Sequence, residues 1–84
     1  MVEAVNTILL VDDHPLLRKG VSQLLELEDN LKVIGEASNG IDAVSMALKL
    51  DPDLILLDLS MRGMDGIETL AAMRDAGIGA HIVV

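Results

Sequence analysis

The chain has 84 residues, enough for one small domain, and its fourteen acidic and six basic residues give a formal net charge of −8. This charge argues against direct binding of the segment to nucleic acid or to an anionic membrane. Cysteine is absent, which excludes disulfides and thiol chemistry, and no signal peptide or membrane-spanning run is visible, so we expect a soluble cytoplasmic protein.

Short apolar segments alternate along the chain with segments of helical periodicity. This alternation predicts βαβ units around a parallel sheet, an α/β fold. A first strand is predicted at 7–12 and should be buried on both faces, because it is continuously apolar. The helix that follows, 15–27, has Pro15 in its first turn and an apolar arc wider than the roughly 100° that a core-facing helix needs.

The middle of the chain predicts one strand and one helix. Strand 31–38 is interrupted by Lys32 and Glu36, which is typical of a strand at the edge of a sheet. An Asn-Gly pair then turns the chain into a helix at 41–50. The residues of this helix that we expect to face inward are Ile41, Val44, Ala47 and Leu48.

The last part of the chain predicts two strands with a helix between them. Strand 53–58 is the most apolar of the chain and should be central in the sheet. A loop at 59–66 follows, with Asp65 as the N-cap of a helix at 67–76, and a fourth strand is expected at 81–84. The helix should bury Ile67, Leu70, Ala71 and Met73.

Three aspartates stand where two predicted strands end. Asp12 and Asp13 follow the first strand and Asp58 follows the third; in the strand order 2-1-3-4 these strands are neighbours, so their carboxyl ends meet. A divalent cation would relieve the mutual repulsion of the carboxylates, and hard oxygen ligands suit Mg²⁺. Taken singly, each aspartate is better explained as a helix cap or a turn residue; together they favour a metal site.

Three runs carry a resemblance to a known family: ILLVDDHPLLRKGV, GEASNG and PDLILLDLSMRGMDGIETL. They resemble the receiver domain of bacterial two-component response regulators, in particular the NarL/FixJ group and its nitrate/nitrite regulators. The resemblance covers nearly all 84 residues. It implies a doubly wound, flavodoxin-like parallel sheet and a phosphoacceptor signalling domain of a transcriptional regulator, whose partner is a sensor histidine kinase.

The resemblance also implies a role for each site residue. Asp58 matches the phosphoacceptor, and Asp13 matches the direct Mg²⁺ ligand. Asp12 matches the acid that holds the ion partly through water, and the backbone carbonyl of Ser60 matches the remaining protein ligand. The domain is then not an enzyme, beyond assisting its own phosphorylation and dephosphorylation.

The chain departs from the family pattern in two places. Arg62 stands where many receivers carry proline. Receivers also continue past the fourth strand with a fourth helix, a fifth strand that carries a site lysine, and a fifth helix, and Lys19, Lys32 and Lys49 do not match that lysine. We therefore expect residues 1–84 to be a partial receiver domain, truncated after the fourth strand, that contacts DNA only through an absent output domain.

Two alternatives to a phosphoacceptor domain stay open. A Mg²⁺-dependent aspartyl phosphohydrolase would place its acids in a D-x-D run after the first strand, whereas here Asp12 is followed directly by Asp13. A pseudo-receiver, an interaction module without phosphorylation, is compatible with the missing lysine but not with the retained acids. His14 matches an ordinary residue at the start of a helix, and we do not expect it to act in the site.

The wide apolar arc of the helix at 15–27 and the apolar strand at 81–84 predict that the 84-residue chain interacts with a second copy of itself. In the family, the fifth strand pairs with the fourth and the fifth helix packs beside the first. Without them we expect self-association, either by strand pairing at 82–84 or by burial of Leu16, Leu25 and Leu27 between two copies.

Overall fold

A single parallel sheet of four strands organises the chain in the computed structural model, which describes residues 5–58 and 66–84. The strands are β1 (Asn6–Val11), β2 (Leu31–Ala37), β3 (Leu54–Leu57) and β4 (His81–Val83). The helices are α1 (Pro15–Glu26), α2 (Gly40–Leu50) and α3 (Gly66–Asp75). Every predicted strand and helix is confirmed to within one residue at each end, and the predicted Asp65 cap lies outside the described residues.

The order of the strands is β2-β1-β3-β4, which confirms the predicted order. The inner strand β1 is buried from Ile8 to Val11, as a strand with neighbours on both sides and helices on both faces should be. Strand β2 lies at the edge and carries one extra residue opposite the step from Ile8 to Leu9, since the paired positions move from Val33 to Gly35. The predictions of a central third strand and an edge second strand are confirmed.

Helices cover the two faces of the sheet unequally. Because side chains alternate along a strand, Leu9 and Ile55 lie on one face and Leu10 and Leu56 on the other. On the first, which we call the covered face, α2 and α3 complete a continuous core: Leu9, Val11, Ala37, Ala43, Ala47, Ile55, Leu57 and Met73. On the second, the open face, α1 is the one helix among the described residues, and none of its residues is buried.

The inner surface of α2 consists of small residues. Gly40, Ala43 and Ala47 are buried, at the three- and four-residue spacing of one helix face. The helix approaches β2 so closely that a Cβ atom added at Gly35 would lie 2.8 Å from the side-chain carbons of both Met46 and Leu50. The missing side chain at Gly35 therefore leaves room for Met46 and Leu50 of α2 against the edge strand.

Four predicted inward positions are wrong. Ile41, Leu48 and Ile67 are exposed by 67%, 59% and 68%, and Ala71 is exposed as well. In α3 the buried set is Gly66, Thr69 and Met73, so the inner face again begins at a glycine and carries one large apolar side chain. In α2 the small residues Gly40, Ala43 and Ala47 occupy the buried side of the helix, so Ile41 and Leu48 lie on the exposed side.

Helix ends differ in how well they are capped. The Asn39 side chain accepts a hydrogen bond of 2.8 Å from the Asp42 N–H at the start of α2, whereas the His14 side chain makes no such bond at the start of α1. Gly77, at φ 74°, ends α3: its N–H donates to the Arg74 carbonyl while the Ile78 N–H donates to the Met73 carbonyl.

Candidate functional site

Backbone hydrogen bonds continue past the ends of β1 and β3 and hold two aspartates at the same edge of the sheet. The Asp12 N–H donates to the Ala37 carbonyl at 3.0 Å, and the Asp58 N–H donates to the Val11 carbonyl at 3.0 Å. Because β1 and β3 are parallel neighbours, their carboxyl ends lie side by side. The strand order reverses at this point of the sheet, which is where ligands bind in doubly wound folds.

Four side chains meet at this edge, and we call them the acidic cluster: Asp12, Asp13, His14 and Asp58. Each can offer one ligand atom, and these atoms all lie within 4.8 Å of one another. The predicted convergence of the three aspartates is therefore confirmed. The fourth predicted ligand group, the Ser60 carbonyl, lies outside the described residues.

The carboxylates of the cluster are largely withdrawn from solvent. The side chains of Asp12, Asp13 and Asp58 are exposed by 11%, 16% and 24%, whereas that of His14 is exposed by 59%. Repulsion between carboxylates is poorly screened at such a site, so positive charge near them is stabilising. Asp58 is the most accessible of the three.

The histidine ring supplies hydrogen bonding and charge to the cluster. Its Nδ1 lies 3.0 Å from Asp12 Oδ1, 3.0 Å from Asp13 Oδ1 and 3.7 Å from Asp58 Oδ2. The hydrogen bond to Asp12 and the charge of Asp13 raise the pKa of His14 above its ordinary value. His14 thus lies in the cluster and, as expected, at the start of a helix, where it is the N-cap residue of α1.

A local turn brings the ring to that position. Asp12 Oδ1 also accepts a hydrogen bond of 2.8 Å from the His14 backbone N–H, which bends the chain between β1 and α1. Pro15 restricts the preceding residue to extended backbone, and His14 has φ −104° and ψ 99°. The signal in the sequence was the order Asp-Asp-His-Pro: a histidine held between an acidic pair and a proline cannot turn into the helix.

Comparison with known proteins is decisive for the family. Residues 8–84 match the model of the response regulator receiver domain. The chain belongs to this family. It is 55% identical over 78 residues to the nitrate/nitrite response regulator protein NarL of Escherichia coli K12, a match that covers 93% of this chain and 36% of NarL. It is 52% identical over 61 residues to the transcriptional regulatory protein LiaR of Bacillus subtilis, covering 73% of this chain and 29% of LiaR.

Solved structures show the same fold. A two-component response regulator of the LuxR family from Aurantimonas sp. SI85-9A1 superposes with a TM-score of 0.88 at 33% identity, over 94% of this chain and 56% of that chain. The receiver fold inferred from the three sequence runs is therefore confirmed. The chain spans about a third of the length of the curated relatives that it matches.

Arg18 supports the receiver cluster from α1. Its Nη1 donates to the Asp12 carbonyl at 2.7 Å, and its Nε donates to Glu36 Oε1 at 3.0 Å. The guanidinium therefore joins the first helix and the edge strand to the backbone of the cluster. An arginine in the first turn of the helix that follows the acidic pair was the available signal.

An open cavity of about 380 Å³ extends from the cluster over the open face of the receiver sheet. Asp12, His14 and Asp58 are among its lining residues. The rest of the lining is apolar: Leu10, Val11, Leu17, Val21, Leu56, Leu57, Val83 and Val84.

The donor set fits a small divalent cation. Three carboxylates provide the hard oxygen ligands that Mg²⁺ takes, and an ion bound in the acidic cluster would offset their repulsion.

The described part of the chain contains no helix that is both long and apolar enough to cross a membrane.

Proposed function

We propose that this receiver domain is the phosphoacceptor of a two-component transcriptional regulator and that Asp58 receives the phosphoryl group. The convergence of Asp58 with Asp12 and Asp13, with ligand atoms within 4.8 Å, is the observation that supports this role. A nucleophile must be reachable, and Asp58 is the most accessible carboxylate of the cluster.

In the proposed transfer, a carboxylate oxygen of Asp58 forms a bond to phosphorus while the bond between phosphorus and a histidine nitrogen of the donor breaks. The released imidazole takes a proton from solvent. Asp13, Asp58 and the Ser60 carbonyl would hold Mg²⁺, with Asp12 acting partly through water. The ion would neutralise charge on the phosphoryl oxygens.

The partner in this proposal is a sensor histidine kinase in the cytoplasm. Family membership supports the kinase, since receiver domains are signalling domains rather than self-contained enzymes. With a net charge of −8, this segment is poorly suited to phosphate backbones, so we place DNA contact in another domain of a longer protein. Assistance by the domain in its own phosphorylation and dephosphorylation is part of the proposal.

Phosphorylation by a small phosphodonor with Mg²⁺ tests the function directly. Intact-mass spectrometry should find one added phosphoryl group in the unchanged chain and in Asp29→Asn, an exposed loop aspartate that serves as control. Asp58→Asn should add none. Asp13→Asn should react more slowly, and Asp12→Asn should bind Mg²⁺ about 10- to 100-fold more weakly, as expected for a group that holds a metal through water.

The remaining outcomes separate the alternatives. Phosphate located on a residue other than Asp58 overturns the assignment. Mg²⁺ binding without phosphorylation would favour a pseudo-receiver interaction module. Repeated release of inorganic phosphate from a monoester substrate would favour a phosphohydrolase.

We also propose that the 84-residue chain associates with a second copy through the open face. Leu16 and Leu27 of the α1 region are exposed by 87% and 77%. Val83 of β4 is also exposed, and β4 lies at the edge of the described sheet, where unpaired backbone groups favour addition of another strand. These features support the predicted association through 82–84 or through the leucines of the first helix, Leu25 included.

A further inference from the structure

The acidic cluster contains a nitrogen donor that the receiver metal site, as proposed above, does not use. We propose that His14 Nδ1 is a direct metal ligand and selects for divalent ions that accept imidazole, such as Zn²⁺ and Ni²⁺, more strongly than three carboxylates alone would. This inference rests on the metal site of the proposed function and adds the specificity of that site.

Distances between donor atoms carry the inference. In an octahedral site with bonds of about 2.1 Å, adjacent ligand atoms lie about 3.0 Å apart and opposite ones about 4.2 Å apart. His14 Nδ1 lies 3.0 Å from one oxygen of Asp12 and 3.0 Å from one oxygen of Asp13. Its distance of 3.7 Å from Asp58 Oδ2 falls between the two values. One ion can therefore contact the ring and the carboxylates together with little movement of the side chains.

The backbone positions the ring for this role. The bond from the His14 N–H to Asp12 Oδ1 and the extended conformation imposed by Pro15 hold the residue beside the carboxylates. The His14 side chain is 59% exposed, so an ion with its water ligands can approach from solvent. A ligand held in position before the metal arrives loses little conformational entropy on binding.

A spacing of 3.0 Å also suits a hydrogen bond in which the ring donates to a carboxylate. In that arrangement a bound ion would displace the ring instead of binding it. The two arrangements differ in their response to the metal. Mg²⁺ takes oxygen ligands and binds nitrogen poorly, whereas imidazole is a good ligand for Zn²⁺ and Ni²⁺. A displaced ring would weaken the binding of every ion, but a ligating ring strengthens the binding of nitrogen-accepting ions specifically.

Calorimetric titration of the chain with Mg²⁺, Zn²⁺ and Ni²⁺ tests the selectivity. In His14→Asn, affinity for Zn²⁺ and Ni²⁺ should fall by about tenfold or more, the low end of the loss seen when even a supporting group of a metal site is removed. Affinity for Mg²⁺ should stay the same or rise. His81→Asn, which removes the other histidine of the chain from the start of β4, should leave all three affinities unchanged.

Long-range ¹H–¹⁵N NMR of the histidine rings tests direct contact. On addition of Zn²⁺, the Nδ1 resonance of His14 should move to the position of a metal-bound nitrogen, while the ring of His81 serves as internal reference. Circular dichroism of His14→Asn and His14→Gln confirms that both variants are folded before their affinities are compared.

An unshifted His14 ring with Zn²⁺ bound, or an equal gain or an equal loss of affinity for all three ions in His14→Asn, overturns the inference. If Asp58 is still phosphorylated with Mg²⁺ in that case, the proposed function stands and only the role of His14 is wrong. Absence of phosphorylation together with a metal-bound His14 nitrogen would instead remove the proposed function and leave the nitrogen ligand supported.

Discussion

The covered and open faces of the sheet differ in how their apolar residues are used. On the covered face, α2 and α3 bury small residues and Met73 against the sheet. On the open face, α1 has no buried residue and exposes Leu16, Leu17 and Leu24. Apolar composition alone is thus a poor guide to burial in these helices, because Leu16, Leu17 and Leu24 of α1 are exposed while Ala43 and Ala47 of α2 are buried.

The difference also explains where the cluster lies. Asp12, His14 and Asp58 line the cavity of the open face, next to apolar side chains that reduce the access of water from below. The packed core of the covered face lies behind them. The acidic cluster lies at the edge of the sheet, between the covered face and the open face. The strand ends hold its carboxylates in place, and the open face leaves them accessible to a partner.

Truncation of a large side chain should separate the two faces most clearly. Met73→Ala leaves a cavity in the covered face, where Met73 is 0% exposed, and should lower the free energy of unfolding by about 2–5 kcal/mol. Leu24→Ala on α1, exposed by 67%, should change it by less than about 0.5 kcal/mol. Urea denaturation at one fixed protein concentration measures both, and equal losses would contradict the distinction between the faces.

Self-association should respond to charge on the open face only. Val83→Lys places an ammonium group on the exposed edge strand and should raise the dissociation constant of the dimer by about tenfold, or about 1.4 kcal/mol. Ile41→Lys, at an exposed apolar position of α2, is the matched control and should have no effect. Light scattering across a dilution series measures the change; a compact monomer at every concentration would exclude the association.

Removal of a helix cap should have a smaller effect. Asn39→Ala leaves the Asp42 N–H without its side-chain acceptor and should lower the free energy of unfolding by about 1 kcal/mol. Asn39→Asp keeps an acceptor oxygen and should lose less. Thermal unfolding of both variants measures the difference, and equal stability of the Ala and Asp variants would show that the cap contributes little.

The smallest effect concerns the ring of His14 in metal-free buffer. Its pKa is raised, so the stabilisation from its contacts is complete below the ordinary histidine pKa and is lost as the pH rises through the raised pKa. The ring proton signals in an NMR titration should show that raised pKa. Asp12→Asn should bring it back toward the ordinary value, since the hydrogen bond to Asp12 is the main cause; an unchanged pKa in that variant would exclude this explanation.

Periodicity in the sequence determined the order and the limits of all seven elements, because each strand is a short apolar run and each helix carries a three- and four-residue apolar repeat. The positions of Asp12, Asp13 and Asp58 at strand ends were sufficient to predict that they converge, since parallel neighbours end at a common edge. The motifs were sufficient to predict the family.

Only the tertiary structure decided which side of each helix turns inward and which polar residues join the cluster. Ile41 and Ile67 belong to plausible apolar faces, but the buried positions are Gly40, Ala43 and Ala47 in α2 and Gly66, Thr69 and Met73 in α3. His14 and Arg18 lie at the start of a helix, where polar side chains usually face solvent. In the structure the His14 N–H donates to the Asp12 carboxylate, and the Arg18 guanidinium donates to the Asp12 carbonyl. Contacts of this kind depend on distances between elements, and a sequence pattern does not contain those distances.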